Sequence, residues 1–236
     1  MSNLAEQKRY TYADYAAWKG DIRYEIIDGT AYALAAPSSV HQKISKKIFR
    51  QLDHFLIGKT CEVYYAPLAV RLNADDFDDT VVEPDLLVVC DESKIDIRGI
   101  KGAPDLIIEI LSPFNAKHDT VRKFRQYQKA GVKEYWIVDP IRKTVEVYVL
   151  EKSNGRYGVG SVYRDDDIVP VHILDGCEVN LADVFYDIIE TETETEEENN
   201  ESETLEIRNK MIQALKASGV DMSEEQIENA IKILEL

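Results

Sequence analysis

A glutamate in the middle of a short apolar run is the feature that most constrains this chain. In GAPDLIIEILSP, residues 102–113, the segment from Leu106 to Leu111 is aliphatic apart from Glu109. A short apolar run of this kind predicts a buried strand. Because an ionised carboxylate is very unfavourable in an apolar interior without a partner, the fold must place a compensating group opposite Glu109.

A second acidic position can reach the same place. Side chains alternate along a strand, so Asp105 and Glu109 share one face. The preceding predicted strand, VVEPDLLVV, carries Glu83 and Asp85 on one face. If the two strands are neighbours in a sheet, Asp85 and Glu109 converge. Carboxylates this close repel each other unless a cation lies between them, and oxygen ligands without a histidine–cysteine cluster indicate Mg²⁺ or Mn²⁺ rather than zinc.

Structural roles are open alternatives for these acids. An aspartate beside a proline is a common turn or strand-entry residue, and we interpret Asp105, which follows Gly-Ala-Pro, in this way. The same reading is open for Asp85 taken alone. Glu109 can instead pair with a buried lysine or arginine. Since a central position in an apolar strand seldom holds an acid, a functional role is favoured for Glu109.

The helix predicted after this strand supplies a candidate cation. In AKHDTVRKFRQYQKAG the helix begins near Lys117 and ends at Gly131. A rotation of about 100° per residue gives one apolar face, formed by Val121, Phe124 and Tyr127. Lys123 lies at the flank of that face, where its long stem can extend along the sheet. A basic group there can orient water or stabilise phosphate charge, and a solvated lysine is the alternative.

A longer helix is predicted over SSVHQKISKKIFRQLDHFLIG, residues 38–58, and it carries a basic stripe opposite its apolar face. The stripe consists of Lys43, Lys46, Lys47 and Arg50. Basic side chains in a row can follow the phosphates of a nucleic acid, and a solvated helix face is the alternative. His41, at the start of this helix, is interpreted as a capping or core residue rather than a cleft residue.

The order of predicted elements indicates an α/β or α+β domain with one central mixed sheet flanked by helices. A hairpin at Asp28-Gly29 precedes the basic helix, three strands, the lysine-bearing helix and three further strands. The composition changes near residue 186. We therefore predict a domain over residues 1–186, an acidic linker over 187–204, and a C-terminal helical hairpin over 205–236 that docks on the body or on a second subunit.

The net charge of −16 does not exclude a nucleic-acid partner, because it is unevenly spread. Residues 187–236 hold 15 acids and 4 bases, which leaves 29 acids and 24 bases for residues 1–186. A local basic surface on the body is therefore compatible with the sequence. No apolar run approaches a membrane span, and the first residues contain no signal-peptide core. Three widely spaced cysteines favour buried thiols in a reducing cytoplasm: Cys61, Cys90 and Cys177.

Together these motifs resemble a known family. The order EPD, GAPDLIIEILSP and D-x-x-x-K-x-x-x-Y-x-x-x-GVKEYWIVDP is similar to the bacterial Uma-two family of endonucleases, in the PD-(D/E)XK restriction-endonuclease-like superfamily. The resemblance implies a restriction-endonuclease-like fold with Asp85 as the PD aspartate, Glu109 as the (D/E) residue and Glu25 as an amino-terminal acid. The superfamily lysine two residues after the acid is missing, because position 111 is leucine. Lys123 is the implied replacement.

The resemblance also implies the chemistry. It predicts Mg²⁺- or Mn²⁺-dependent hydrolysis of nucleic-acid phosphodiester bonds, with DNA as the expected substrate. Asp85 and Glu109 are the implied metal ligands, and Lys123 and Glu25 complete the implied catalytic set. We expect a homodimer with no membrane partner. Two alternatives stay open: a nuclease-like binding or assembly module without catalysis, favoured by the displaced lysine and the acidic tail, and a hydrolase of small phosphodiesters.

Overall fold

The computed structural model describes residues 8–19, 22–74, 77–112 and 116–188, with the backbone alone for residues 116–120. All of them belong to the first of two units into which the chain divides, Met1–Ile188. Apart from Asp187 and Ile188, the predicted linker (187–204) and the predicted helical hairpin (205–236) lie outside the described residues. The domain boundaries therefore stay predictions.

Helices and strands share the described residues in the mixed α+β pattern that the sequence predicts. The helices are α1 (Tyr12–Ala17), α2 (Ser39–Leu56), α3 (Ala116–Ala130) and α4 (Leu181–Phe185), with a 3₁₀ turn at Glu92–Lys94. The strands are β1 (Tyr24–Ile27), β2 (Thr30–Ala33), β3 (Glu62–Tyr65), β4 (Val70–Arg71), β5 (Val81–Val82), β6 (Leu86–Val89), β7 (Ile95–Asp96), β8 (Gly99–Lys101), β9 (Leu106–Ile110), β10 (Glu134–Asp139), β11 (Thr144–Glu151), β12 (Arg156–Tyr157), β13 (Ser161–Arg164), β14 (Ile168–Pro170) and β15 (Glu178–Asn180). Across the described ranges, every helix is too short or too polar to be a membrane span.

The main sheet has seven strands among the described residues, in the order β12-β11-β10-β9-β6-β3 with β13 paired to β11. Strands β9 and β10 run parallel, and their outer neighbours β6 and β11 are antiparallel to them. The predicted central mixed sheet is therefore confirmed. Strand β9 is buried along its whole length, because central strands that are covered on both faces exclude water from both sets of side chains.

Different elements cover the two faces of the main sheet. On one face, α2 and α4 pack against alternate residues of the central strands, among them Ile108 and Trp136. On the other face, α3 and a second sheet pack against the residues in between, among them Ile107 and Tyr135. The second face therefore brings α3 and the second sheet to the same side of β9.

Helix α2 is defined by its cap and its apolar stripe. The hydroxyl of Ser38 accepts the His41 N–H at 3.2 Å, which satisfies a backbone donor that the helix itself leaves free. Ile44, Ile48 and Leu52 are fully buried, and each such side chain contributes about 1.5–3 kcal/mol to burial. The cap sets where the helix begins and puts His41 in its first turn.

The second sheet, in the order β2-β1-β5-β4-β8-β7, adds to the single sheet that the sequence predicts. Its predicted hairpin is confirmed: Asp28 and Gly29 have φ of 47° and 78°, as a type I′ turn requires. Several of the other strands have only two or three residues. Strands this short show no alternating pattern, which is why the sequence did not predict a second sheet.

A disulfide joins Cys61 and Cys90. Strands β3 and β6 pair antiparallel with Glu62 opposite Val89. Cys61, just before Glu62, therefore faces Cys90, just after Val89. The expectation of buried thiols is wrong for these two cysteines, because cysteine spacing does not reveal a strand pairing that joins positions 29 residues apart. Cys177 is a buried free thiol, and burial raises its pKa to about 11.

Candidate active site

The two strands that carry the predicted acids are neighbours. Strands β6 and β9 pair antiparallel with Leu86 opposite Ile108, so Asp85 and Glu109 occupy the next position of the ladder. The N–H of Ile110 donates to Asp85 Oδ2 at 2.8 Å, which ties the aspartate to the end of β9. The expected convergence of Asp85 and Glu109 follows from this register.

The group opposite Glu109 is Lys123. Its Nζ donates to Glu109 Oε1 at 3.1 Å, and the hydroxyl of Tyr127, one turn further along α3, donates to the same oxygen at 2.5 Å. Lys123 is 6% exposed and Glu109 is 9% exposed. The helical-wheel expectation that Lys123 reaches along the sheet is therefore met, and so is the alternative of a buried basic partner for Glu109.

Glu25, on β1 of the second sheet, completes this arrangement. It is 1% exposed and accepts Lys123 Nζ at 3.0 Å. The backbone N–H of Glu83 donates to the same carboxylate at 2.8 Å. Lys123 thus lies between a glutamate of each sheet, and we call Glu25, Glu109 and Lys123 the acid–lysine cluster. Each carboxylate in it has a basic partner, but two acids share one lysine.

The buried position of Glu109 perturbs its pKa. Burial is the main reason that its pKa is raised to about 8; Lys123 opposes the rise, whereas Asp85 and Glu25 add to it. Burial, with the nearby Glu109, also raises the pKa of Tyr127 well above its usual value. Tyr127 therefore stays a hydroxyl donor to Glu109 throughout the physiological range.

His41 contacts the other acid. Its Nε2 lies 3.0 Å from Asp85 Oδ2, while its Nδ1 is buried and has no hydrogen-bond partner within the part of the chain that the structure describes. The interpretation of His41 as a capping or core residue is wrong, since its ring lines the cleft described next. The sequence does hold a signal for it: His41 precedes Ile44 and Ile48 by three and seven residues, on the helix face that packs against the sheet.

An open cleft of about 440 Å³ gives access to these residues, and His41, Asp85, Glu109 and Lys123 all line it. Glu83 lines it as well, but it pairs with Arg23, whose Nη1 lies 3.0 Å from the Glu83 carboxylate. The hydroxyl of Tyr15 donates to the other Glu83 oxygen at 2.8 Å. Glu83 is therefore neutralised by its own partners, separately from the acid–lysine cluster.

The donor set of the cleft fits a hard divalent cation. All hydrogen bonds to Asp85 and Glu109 that the structure describes go to Asp85 Oδ2 and Glu109 Oε1, which leaves one oxygen of each carboxylate for a ligand. Within the described ranges, no three acidic, histidine or cysteine side chains are arranged around one point. Mg²⁺ is often held by one or two carboxylates together with water, and this pair fits such a site.

The family assignment rests on a match that covers more than half of the chain. Residues 12–182 match the model of the Uma2 (Uma-two) family, whose description is "Putative restriction endonuclease". The chain belongs to the Uma2 family. The matched segment includes every residue of the acid–lysine cluster, together with Asp85 and His41.

Two relatives place this Uma2 chain among known proteins. It is 27% identical over 139 residues to the uncharacterized protein slr1290 of Synechocystis sp., a match that covers 57% of this chain and 71% of the relative. The crystal structure of a "putative nuclease belonging to DUF820" from Anabaena variabilis superposes with a TM-score of 0.62 at 20% identity, over 76% of this chain and 99% of that one. The Uma2 chain thus has a nuclease-like fold.

The predicted basic stripe on α2 of the Uma2 chain is only partly exposed to solvent. Lys43, Lys46 and Arg50 are exposed. Lys47 instead lies 2.5 Å from the Asp187 carboxylate, and it also donates to the backbone carbonyl of Tyr186. Three of the four stripe residues therefore face solvent, and binding of nucleic acid by the stripe stays a prediction.

Proposed function

We propose that this Uma2 chain is a metal-dependent endonuclease that hydrolyses phosphodiester bonds in nucleic acid, with DNA as its expected substrate. One observation carries the proposal: Lys123, fixed between Glu25 and Glu109, lies beside Asp85 in an open cleft. Two converging carboxylates next to a buried lysine provide both a cation site and a positive charge for the reacting phosphate. The family and the fold support the same class of enzyme.

Each residue has a distinct task in this mechanism. Asp85 and Glu109 hold Mg²⁺ or Mn²⁺, which supplies Lewis-acid stabilisation of the phosphate when bound. Lys123 donates to the phosphate oxygen on which charge develops, or positions the attacking water. Glu25 and Tyr127 hold Lys123 and Glu109 in place, since Glu25 accepts from the lysine and Tyr127 donates to the glutamate.

Asp85 is oriented from two sides. The Ile110 N–H and the His41 ring both contact Oδ2, so the aspartate cannot turn that oxygen away without losing a hydrogen bond. We assign His41 as a positioning residue that acts through Asp85. Such hydrogen bonds behind a metal ligand typically change metal affinity or activity by about 10–100-fold.

A nuclease-like binding module without catalysis is the second candidate, and a specific observation favours it. Lys123 already contacts both buried glutamates, so each carboxylate has a cationic partner without a metal ion. In a catalytic site, the cation must compete with this lysine for Glu109. Retained metal or nucleic-acid binding with no turnover is the result that this candidate predicts.

Cleavage of plasmid and of single-stranded DNA, with and without Mg²⁺ or Mn²⁺, tests the proposal. Glu109→Gln keeps the side-chain size and removes one ligand charge, and Glu178→Gln, at an exposed position of β15, is the matched control. We expect cleavage that requires metal, persists in the control and is lost in Glu109→Gln. No cleavage of double- or single-stranded DNA with either metal would favour the binding module, and equal cleavage by both variants would remove Glu109 from the mechanism.

Two further expectations accompany this proposal: Mg²⁺ or Mn²⁺ as the metal, and a homodimer. The expected cytoplasmic location loses the support of free thiols, because Cys61 and Cys90 form a disulfide and disulfides are rare in reducing compartments. Analytical ultracentrifugation at several protein concentrations measures the dimer directly. Isothermal titration of the metal-free protein with each cation measures the preference. A monomer at every concentration would remove the dimer from the proposal without affecting the chemistry.

A further inference from the structure

A second cavity lies beside the cleft, and four of the ten described residues that line it are aromatic. It has a volume of about 660 Å³. We call it the aromatic pocket and define it by its four rings and two cationic side chains: Tyr10, Tyr15, Trp18, Tyr24, Lys19 and Arg23. The residues that carry the proposed chemistry, Asp85, Glu109 and Lys123, belong to the cleft and not to this pocket.

The rings of the aromatic pocket do not stack on one another. Trp18 lies 5.4 Å from Tyr10 at an interplanar angle of 68° and 5.0 Å from Tyr24 at 60°. All of the ring residues are only partly buried. By contrast, Tyr127 and Tyr135 in the core are 0% and 1% exposed. Tyr10, Tyr15 and Trp18 pack against a small buried cluster, but because they are only partly buried the pocket still presents an aromatic surface to solvent.

The aromatic pocket and the cleft share a wall. Arg23 and Glu83 line both cavities, and their side chains are joined by an ion pair of 3.0 Å. Tyr15, from the pocket, donates to the same glutamate. A polymer held with one unit in the cleft can therefore place the next unit against the aromatic rings.

The charges around the pocket suit a nucleotide. Glu83 is neutralised by Arg23 and Tyr15, so this carboxylate does not repel a neighbouring phosphate as a free acid would. Lys19 is exposed at the rim. The Lys8 ammonium lies 4.7 Å from the Tyr10 ring centroid, but it is already paired with the Asp14 carboxylate at 3.3 Å. Aromatic faces with cations beside them are the combination by which proteins bind unpaired bases and their phosphates.

We infer that the aromatic pocket binds an unpaired base of the strand whose phosphate enters the cleft. The substrate class is therefore single-stranded nucleic acid, because the bases of a duplex are stacked on each other and cannot offer their faces to a ring. The inference rests on the proposed nuclease function only for the role of the cleft. Binding of a single strand by the pocket is measurable without cleavage.

The first test is a binding experiment on the full chain in EDTA, where metal-dependent cleavage is blocked. Fluorescence anisotropy with a labelled oligothymidylate and with a hairpin duplex of equal length gives both affinities. We expect tighter binding of the single strand, and Trp18→Ala weakens it about tenfold, within the range for one base stacked on an aromatic ring. Phe77→Ala, at a 73% exposed ring outside both cavities, leaves both affinities unchanged.

A second readout does not depend on a truncated side chain. The chain has two tryptophans, and Trp136 is fully buried, so a ligand can reach only Trp18. We expect oligothymidylate to quench the tryptophan fluorescence of the wild type and to leave that of Trp18→Phe unchanged. Equal quenching in both proteins, or equal single-strand affinity in wild type and Trp18→Ala, would overturn the inference.

The two proposals fail in different ways. If the wild type cleaves DNA with metal but Trp18 affects neither binding nor quenching, the nuclease function stands and the single-strand inference is wrong. If the protein cleaves nothing but binds single strands through Trp18, the inference stands and the nuclease function is wrong.

Discussion

The Lys123 ammonium lies 3.1 Å from a carboxylate oxygen of Glu109 and 3.0 Å from one of Glu25. The two glutamates come from different sheets, and all three side chains are buried. This lysine therefore contacts one buried acid from each sheet. This relationship links the stability of the protein to the chemistry that we propose for it.

Replacing Lys123 with methionine removes that shared positive charge and destabilises the protein. Deleting one partner of a buried ion pair typically costs about 3–5 kcal/mol, so we expect urea denaturation in EDTA to give an unfolding free energy about 3 kcal/mol lower. Added Mg²⁺ restores part of the loss, because a cation then faces Glu109. Lys129→Met, at a 74% exposed side chain, is the control, and unchanged stability of Lys123→Met would contradict the shared role.

The stability of the metal-free protein falls as pH rises from about 5 to 8. The Glu109 pKa is raised to about 8 in the folded chain from an ordinary value of 4.5, so between these values the folded state binds more protons than the unfolded state. Stability therefore decreases with rising pH. Urea denaturation in EDTA at several pH values measures this slope, and Glu109→Gln should flatten it. An equal slope in the variant would assign the effect to another group.

On the proposed function, removing the His41 ring should weaken cleavage and metal binding together. We expect His41→Ala to lower both by about 10–100-fold, because Asp85 loses a hydrogen bond that orients it. His41→Gln, which can still donate to Asp85, should recover part of the loss. Isothermal titration of Mg²⁺ is the readout that a purely structural role would leave unchanged. His54→Ala, at an exposed position in the last turn of α2, serves as the control.

Breaking the Cys61–Cys90 disulfide lowers stability without changing the fold. The bridge closes a loop between positions 29 residues apart, for which loop entropy predicts about 2–4 kcal/mol. Replacing both cysteines with serine should lower the urea midpoint. Adding reductant to the wild type should lower the midpoint as much as this double substitution does. Reductant should have no effect on the double variant. A midpoint shift in that variant would show that the reductant acts elsewhere.

The sequence predicted the parts of the site that depend on local periodicity. Alternation along two strands is enough to put Asp85 and Glu109 on converging faces once the strands pair. The helical wheel of α3 likewise puts Lys123 beside the buried Tyr127, although Val121, predicted for the same apolar face, is 55% exposed. Both rules need only a few neighbouring residues, so they hold without knowledge of the rest of the fold.

The remaining parts depend on contacts between distant segments. The β1 strand that carries Glu25 faces α3 only because the short strands of the second sheet pair as they do. Tyr127 was predicted only as part of an apolar face. A helical wheel shows the direction of a side chain but not the hydrogen-bond partner of its hydroxyl. The segment around Arg23 contains no pattern that indicates its ion pair, because its partner Glu83 is 60 residues away.

The two sheets divide the site between them. Glu109 and Asp85 belong to the main sheet, while Glu25 and the aromatic pocket belong to the second sheet and the segment before it. Lys123 holds a carboxylate of each, so the centre is complete only when the sheets are docked. A partly folded copy, in which the small sheet has opened, lacks an assembled centre and, on the proposed function, would leave nucleic acid intact. Completion of folding would thus be a safeguard on the proposed activity.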